Sequence, residues 1–257
     1  MIECKNLSYK VNGKSILDSV TLTAKDGEIT VLLGKNGSGK TTLVRAITAP
    51  GEHRRHIDGD ITVSDEDALA ITPRALSAHI SLLPQTLPMP RFSVRELVTL
   101  AVLSDSSPFS RPAEEQKRIV GDAIDSVGLT PLADAPLSEL SGGERQLAYI
   151  AMMMAKGTQN LVLDEPTAAL DAVNRGEVFS FLRKMRNEGR AILAVLQDIN
   201  EAVAIADRIA VLDKGSIIFD GTPKEFGESE SPKLCFGLIP CEVRRGGEIF
   251  TAYFSKK

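Results

Sequence analysis

The chain has 257 residues, of which 43% are hydrophobic and 25% are charged. This length and composition are typical of a folded protein with one large core or two compact lobes, and they disfavour a disordered chain. The formal net charge is -4, whereas a nucleic-acid-binding surface usually carries an excess of basic residues. We therefore expect no nucleic-acid partner.

The sequence indicates no secretion signal, membrane span or cysteine framework. The N-terminal segment MIECKNLSYK lacks the apolar stretch of a secretion signal, and no run approaches about 18 apolar residues. Cys4, Cys235 and Cys241 are scattered without a CxxC pair, which disfavours disulfides and a zinc site and favours a reducing compartment. We therefore expect a soluble chain whose membrane role, if any, depends on other proteins.

In chain order, short apolar runs alternate with helical segments. A strand-like run at 28–33 precedes a helix predicted over 39–48. Similar strand-like runs follow at 80–83, 160–163, 191–196 and 208–212. Strands that alternate with helices indicate a mainly parallel sheet covered on both faces.

The middle of the chain differs, because no strand-like run interrupts it after the proline-rich segment at 87–90. Helices are predicted over 93–103, 112–127 and 142–156. Ser141 is placed to cap the third of them. We interpret this part of the chain as a helical subdomain.

A glycine-rich segment, GKNGSGKT, follows the first predicted strand and opens the first predicted helix. Its glycines let backbone N–H groups approach a phosphate, and the helix N-terminus adds partial positive charge. In this P-loop pattern, Lys40 reaches the β and γ phosphates and the Thr41 hydroxyl binds Mg²⁺. The nucleotide-binding residues predicted here are Gly34, Asn36, Gly37, Ser38, Gly39, Lys40, Thr41 and Thr42.

Two adjacent carboxylates end a second apolar strand, in the segment LVLDEP at 161–166. Asp164 is suited to hold the magnesium ion, and Glu165 is suited to polarise the attacking water. The alternative, a solvated acidic loop, is disfavoured because apolar residues lead directly into the pair.

The segment LSGGERQ at 140–146 resembles the signature motif of ABC ATPases. Ser141, Gly142 and Gly143 lie at the start of a helix. They therefore form a second helix N-terminus, whose free N–H groups can bind a phosphate. The resemblance implies that this end meets the γ phosphate bound to a second copy, so that two chains enclose two ATP molecules head to tail.

The resemblance also assigns roles to single residues. Gln85 occupies the position of the Q-loop glutamine, which contacts the nucleotide and the magnesium ion, and Asp171 ends a D-loop sequence. Tyr9 occupies the position of the aromatic residue that stacks on adenine. A lone tyrosine near an N-terminus otherwise favours strand packing, so this role depends on the resemblance.

One position departs from the family pattern. Where these ATPases usually carry a histidine after the strand that follows the D-loop, this chain has Gln197. A glutamine amide can hydrogen-bond a γ phosphate, but it cannot carry a proton or a positive charge. Lys40, Glu165 and Gln197 are thus the predicted catalytic residues, with slow hydrolysis as one expectation.

The resemblance covers nearly the whole chain and implies an α/β fold. Its parts are a P-loop NTPase core with a mainly parallel sheet, an antiparallel β subdomain, an inserted helical subdomain and a small C-terminal β lobe. Apolar and polar residues alternate on both sides of Gly246 and Gly247, and this pattern predicts a hairpin in that lobe. The predicted boundaries are 1–86 for the first part of the core, 87–156 for the helical subdomain, 157–225 for the second part of the core and 226–257 for the lobe.

Within the family, the chain is similar to importers of iron-siderophores, haem and cobalamin. This implies an ATP-hydrolysing subunit on the cytoplasmic face of the membrane, with ATP and Mg²⁺ as ligands. The implied partners are a second copy, transmembrane permease subunits and, indirectly, a substrate-binding protein. The segment 88–92 is the candidate permease-docking surface, with a solvated loop as the alternative.

Two other functions stay open from the sequence. A regulatory module that dimerises on ATP with little or no hydrolysis is favoured by Gln197 and disfavoured by Glu165. An ABC ATPase of translation or DNA repair would be expected to carry tandem cassettes or long coiled-coil insertions, and the sequence has neither. The basic segment at 53–56 is assigned no role.

Overall fold

A computed structural model describes residues 1–103, 112–168, 170–245 and 248–255. The β-strands described are β1 Ile2–Val11, β2 Lys14–Ala24, β3 Ile29–Leu33, β4 Ile57–Val63, β5 Glu66–Asp67, β6 Ile80–Leu83, β7 Asn160–Asp164, β8 Ala191–Val195, β9 Arg208–Asp213, β10 Ser216–Gly221, β11 Leu238–Arg245 and β12 Glu248–Ser255. The α-helices described are α1 Lys40–Thr48, α2 Pro50–His53, α3 Pro73–His79, α4 Val94–Leu103, α5 Ala113–Ser126, α6 Gly142–Lys156, α7 Ala172–Asn187, α8 Ile199–Ile205, α9 Pro223–Glu228 and α10 Ser231–Phe236.

The central sheet has the strand order β10-β9-β3-β8-β7-β6. Its strands run parallel except for β10, which pairs antiparallel with β9. Every residue of β3, β7 and β8 is buried, because helices cover both faces, and this explains the uninterrupted apolar runs in the sequence. Parallel strands bring their carboxyl ends to one edge, so the segments that follow β3, β7 and β8 lie together there.

A second, antiparallel sheet has the order β2-β1-β4-β5. Helix α1 contributes Leu43, Val44 and Ile47 to a core that also contains residues of β1, β2 and β4. The apolar face of α1 therefore joins the antiparallel sheet to the central sheet.

Helices α4, α5 and α6 lie between β6 and β7 in the chain. Their buried apolar residues, which include Val98, Ile124 and Ile150, continue the core that covers the central sheet. Ser141 caps α6 as predicted: its hydroxyl accepts from the Glu144 N–H at 3.2 Å, while the Glu144 carboxylate accepts from the Ser141 N–H at 2.8 Å.

The C-terminal strands β11 and β12 form a two-stranded antiparallel sheet, in register from Leu238↔Ser255 to Arg245↔Glu248. The glycine pair predicted at its turn lies outside the described residues. The ring of Tyr253 is buried against Phe226, with 5.8 Å between ring centroids. With the central sheet, the antiparallel sheet and the helical insertion, this lobe completes the predicted α/β fold class, which is confirmed.

Within the described part of the chain, the helices are all too short or too polar to cross a lipid bilayer.

Candidate functional site

The glycine-rich loop after β3 wraps around the Lys40 side chain. Its Nζ donates to the carbonyl oxygens of Gly34 and Lys35, at 2.7 and 3.2 Å. A Cβ on Gly34 would lie only 2.4 Å from the carbonyl oxygen of Leu212. Gly39, the N-cap of α1, has φ 110°, a backbone conformation that glycine adopts without steric cost. The loop therefore requires glycine at these two positions.

The environment of Lys40 favours a negatively charged ligand. Burial lowers the pKa of its ammonium group, while the charges of Glu165 and Asp164 partly oppose this shift. A phosphate bound beside the ammonium would stabilise its charged form. The N-terminus of α1 lies at the same loop and adds its partial positive charge.

The loop opens into a cavity of about 470 Å³. Nine of the predicted site residues line this cavity, although they come from four separate segments of the chain. They are Asn36, Gly37, Gly39, Lys40, Thr41, Thr42, Gln85, Glu165 and Gln197. Sequence reasoning missed Ile16 of β2, which also lines the cavity and which no local motif marks.

Asp164 ends β7 as a buried carboxylate. Within the described part of the chain, its Oδ1 atom has no hydrogen-bond partner. Burial, together with the charge of Glu165, raises the pKa of the Asp164 carboxyl. A buried carboxylate oxygen without a partner is costly unless a cation binds it, so this residue fits a metal-binding role.

Glu165 is held at the cavity by two contacts and an unusual backbone conformation. Its Oε2 accepts from Nε2 of Gln85 at 2.6 Å, and its N–H donates to the carbonyl of Val195 at 3.1 Å. Its φ of 54° lies in the left-handed region, which costs a non-glycine residue about 1–3 kcal/mol and is common at functional sites. The side chain is thus aimed by its surroundings rather than by local preference.

Gln197 follows β8 and is exposed at the cavity wall. Asp198, the next residue, caps α8 by accepting from the N–H groups of Asn200 and Glu201 at 2.7 and 3.3 Å. The position of Gln197 is therefore determined by the end of a buried strand on one side and by a capped helix on the other.

The signature residues and Asp171 are not among the described residues that line this cavity. Ser141 and Gly142 are exposed at the start of α6. A Cβ on Gly143 would lie 2.6 Å from Nδ2 of Asn174. Asp171 caps α7 by accepting from the Asn174 N–H at 2.9 Å, so the two motifs are neighbours on the outside of the chain.

Tyr9 is buried in β1. Its hydroxyl is hydrogen-bonded to Nδ1 of His53 at 2.9 Å. The imidazole rings of His53 and His56 lie 5.8 and 5.5 Å from the tyrosine ring. Tyr9 is absent from the described residues that line the phosphate cavity, so its stacking on adenine stays a prediction.

Three features define a P-loop nucleoside triphosphatase. They are the parallel sheet, the glycine loop around Lys40 after β3, and the carboxylate pair at the end of β7, which lies two strands away from β3 in the sheet. Residues 17–168 match the model of the ABC transporter family. The chain belongs to this family, and it is an ATPase.

Curated relatives match over most of the chain. The iron(3+)-hydroxamate import ATP-binding protein FhuC of Bacillus subtilis (strain 168) is 31% identical, over 92% of this chain and 88% of its own length. The hemin import ATP-binding protein HmuV of Bradyrhizobium diazoefficiens is 33% identical, over 93% and 89%. The ferric enterobactin transport protein FepC of Escherichia coli (strain K12) is 32% identical, over 87% and 82%.

Solved structures agree with the fold. A metal-chelate type ABC transporter in an inward-facing conformation superposes with a TM-score of 0.83 at 27% identity, covering 100% of this chain and 97% of the other. The dimeric cassette MJ0796 bound to ADP and Pi has a TM-score of 0.76 at 23% identity, covering 87% and 99%.

The raised pKa of Asp164 makes a prediction about stability. Because the folded state favours the protonated form, its stability falls as the pH rises through the raised pKa. Replacing the ionised carboxylate in Asp164→Asn is therefore expected to raise the midpoint of thermal unfolding at pH 7, in protein free of metal and nucleotide. For a chain of this size, a gain of about 1 kcal/mol in the free energy of unfolding would raise the midpoint by about 2–4 °C.

Thermal scans of Asp164→Asn from pH 7 downwards test this expectation. The advantage over the parent chain should shrink as the pH approaches the ordinary aspartate pKa of about 4. Asp58→Asn, at an exposed position in β4, serves as the matched control and should leave the midpoint unchanged. A lower midpoint for Asp164→Asn at pH 7 contradicts the prediction.

Proposed function

We propose that this chain binds and hydrolyses ATP to power an importer of an iron-siderophore, haem or a similar metal chelate. The substrate class is supported by three relatives, which are ATP-binding proteins of iron(3+)-hydroxamate import, hemin import and ferric enterobactin transport. The metal-chelate type transporter of the same fold also supports it. The residues of the ATP site carry no information about the solute.

In the proposed mechanism, Lys40 binds the β and γ phosphates while the loop N–H groups surround them. Thr41, Asp164 and Gln85 would hold Mg²⁺, which neutralises charge on the phosphates. The observation that carries hydrolysis is the Glu165 carboxylate, held at 2.6 Å by Gln85 in the cavity that contains Lys40. In that position Glu165 can accept a hydrogen bond from the attacking water.

A complete site would need a second copy of the chain. Ser141, Gly142 and Gly143 present the N-terminus of the 15-residue helix α6, but they are not among the described residues that line this chain's own cavity. We assign them to the γ phosphate bound by the opposite copy, with Asp171 at the contact between copies. ATP then stabilises only the closed pair, because it joins both half-sites.

The permease would dock beside the segment 88–92. Met89 and Phe92 expose 55% and 36% of their surface, and Leu100 and Leu103 of the neighbouring helix α4 expose 45% and 52%. The Tyr149 hydroxyl of α6 donates to the Pro88 carbonyl at 2.7 Å, so the signature helix and this surface are directly linked. We place the chain at the cytoplasmic face of the membrane, in contact with permease subunits and indirectly with a substrate-binding protein.

Tyr9 is proposed as the adenine-stacking residue. The adenine would have to pass His53 and His56 to reach the tyrosine ring. The division at 86, 156 and 225 into core, helical subdomain, core and C-terminal lobe is proposed on the same family pattern.

The second candidate function is a dimerising regulatory module with little hydrolysis, favoured by Gln197. Phosphate release from radiolabelled ATP, measured on the chain co-purified with its membrane partners, separates the two functions. Release above a Glu165→Gln control supports the transporter ATPase, and its absence supports the module. Identification of the ligand on the associated substrate-binding protein then tests the solute class.

Gln197→His is expected to raise the rate of ATP hydrolysis, because an imidazole can carry a proton or a positive charge at the γ phosphate and an amide cannot. Binding of ATP should stay unchanged, since the contacts of the glycine loop are untouched. The measurement is the ATPase rate of the assembled transporter with each variant. An unchanged or lower rate means that Gln197 does not limit the chemical step.

A further inference from the structure

Glu201 joins three segments of the chain. Its side chain, on α8, exposes only 14% of its surface. One carboxylate oxygen accepts from the Thr167 hydroxyl at 2.7 Å. The other accepts from Nη1 of Arg175, on α7, at 2.8 Å. This largely buried carboxylate thus uses both of its oxygens to hold neighbouring segments.

This cluster lies directly behind the proposed catalytic pair. A second cavity, of about 220 Å³, is lined by Glu165 and Gln197, which also line the phosphate cavity, and by Thr167, Arg175 and Glu201. The network therefore forms a wall that the two proposed catalytic side chains share.

The chain connectivity turns these contacts into a constraint on geometry. Thr167 lies two residues after Glu165, and Glu201 lies four residues after Gln197. Pro166 stiffens the first connection, and the Asp198 cap at the start of α8 stiffens the second. The bond between Thr167 and Glu201 consequently fixes the spacing between the segments that carry Glu165 and Gln197.

Helix α8 does not depend on Glu201 to stay folded. Its residues Ile199, Ala202 and Ile205 are buried in the main core. On its other side, the Asn200 side chain accepts from the Tyr253 N–H at 2.8 Å and donates to the Tyr253 carbonyl at 3.3 Å. Loss of the Glu201 contacts would therefore shift the helix sideways rather than unfold it.

We infer that Glu201 is a positioning residue for ATP hydrolysis, which acts by setting the distance between Glu165 and Gln197. This inference rests on the catalytic roles proposed for those two residues. Glu201 does not line the phosphate cavity, so its removal should affect the chemical step and leave ATP binding intact. Arg175 supports it by holding the second carboxylate oxygen.

The test compares kcat and KM for Glu201→Ala, Glu201→Gln and the parent chain. Since a misplacement of about 1 Å can cost about 100-fold in rate, Glu201→Ala is expected to lower kcat by roughly 10- to 100-fold with KM unchanged. Glu201→Gln keeps an acceptor for Thr167 but loses the ion pair, so an intermediate kcat is expected. Glu177→Gln, at an exposed carboxylate of α7, is the matched control and should behave like the parent.

A double-mutant cycle separates positioning from general destabilisation. If Glu201 acts through Gln197, then Glu201→Ala should cost much less on a Gln197→Ala background than in the parent chain. Arg175→Met should lower kcat in the same direction as Glu201→Gln. An unchanged kcat in Glu201→Ala, or the same loss on both backgrounds, overturns the inference.

Glu165→Gln distinguishes a failure of this inference from a failure of the proposed function. If Glu165→Gln hydrolyses ATP at the parent rate, the proposed catalytic roles are wrong and Glu201 has nothing to position. If Glu165→Gln is inactive while Glu201→Ala hydrolyses ATP normally, only the role of Glu201 is wrong.

Discussion

Glu165→Gln is expected to abolish most ATP hydrolysis while ATP binding persists. Loss of a positioned general base costs about 100- to 10,000-fold in rate, and an amide cannot accept a proton from water. The substitution preserves shape and leaves the loop around Lys40 intact, so the ATP-bound pair of chains should accumulate. Phosphate release measures the first effect, and size-exclusion chromatography with Mg²⁺ and ATP measures the second.

Lys40→Met provides the matching control for this experiment. It removes the ammonium group that meets the phosphates, so neither ATP binding nor an ATP-dependent dimer is expected. A Glu165→Gln chain that stays monomeric at saturating ATP would contradict the sandwich of two copies. Hydrolysis at the parent rate would instead remove Glu165 from the mechanism.

Two inactive variants are expected to restore activity when they are mixed, if each ATP site uses Lys40 of one copy and Ser141 of the other. Lys40→Met breaks the first half-site, and Ser141→Arg blocks the second. In a dimer of either variant alone, each of the two ATP sites contains one damaged half-site and one intact half-site. A mixed dimer has one site with both halves intact and one with both damaged.

The measurement is the ATPase rate of each variant alone and of the mixture at the same total concentration. Activity in the mixture, against little in either variant, supports sites shared between copies. If the mixture stays inactive although both variants give the parent's thermal unfolding transition, or if Ser141→Arg alone keeps the parent rate, the shared site is wrong.

The central sheet could be predicted from the sequence because its strands are buried on both faces. Such strands give continuous apolar runs, and the predicted run at 80–83 coincides with β6. The strands β1 and β2 were not located individually, although an antiparallel β subdomain was expected. Shifts in their pairing register, with left-handed backbone at Asn6 and Ser19, interrupt the alternation on which strand prediction depends.

The parts of the site that could be predicted are those carried by contiguous motifs. The glycine loop and the carboxylate pair are recognisable because neighbouring residues cooperate in one chemistry. The contact of Gln85 with Glu165 spans 80 residues, and that of Arg175 with Glu201 spans 26. No local pattern marks such contacts, because they depend on how the strands are ordered in the sheet.

The left-handed backbone of Glu165 has a consequence for how this position can evolve. Glycine or asparagine would adopt that backbone conformation at lower cost, so selection for stability alone would replace the glutamate. A descendant that kept ATP binding but no longer needed turnover would be free to drift to one of these residues. Under the proposed catalytic role, glutamate at this position serves the reaction at a cost to the stability of the fold.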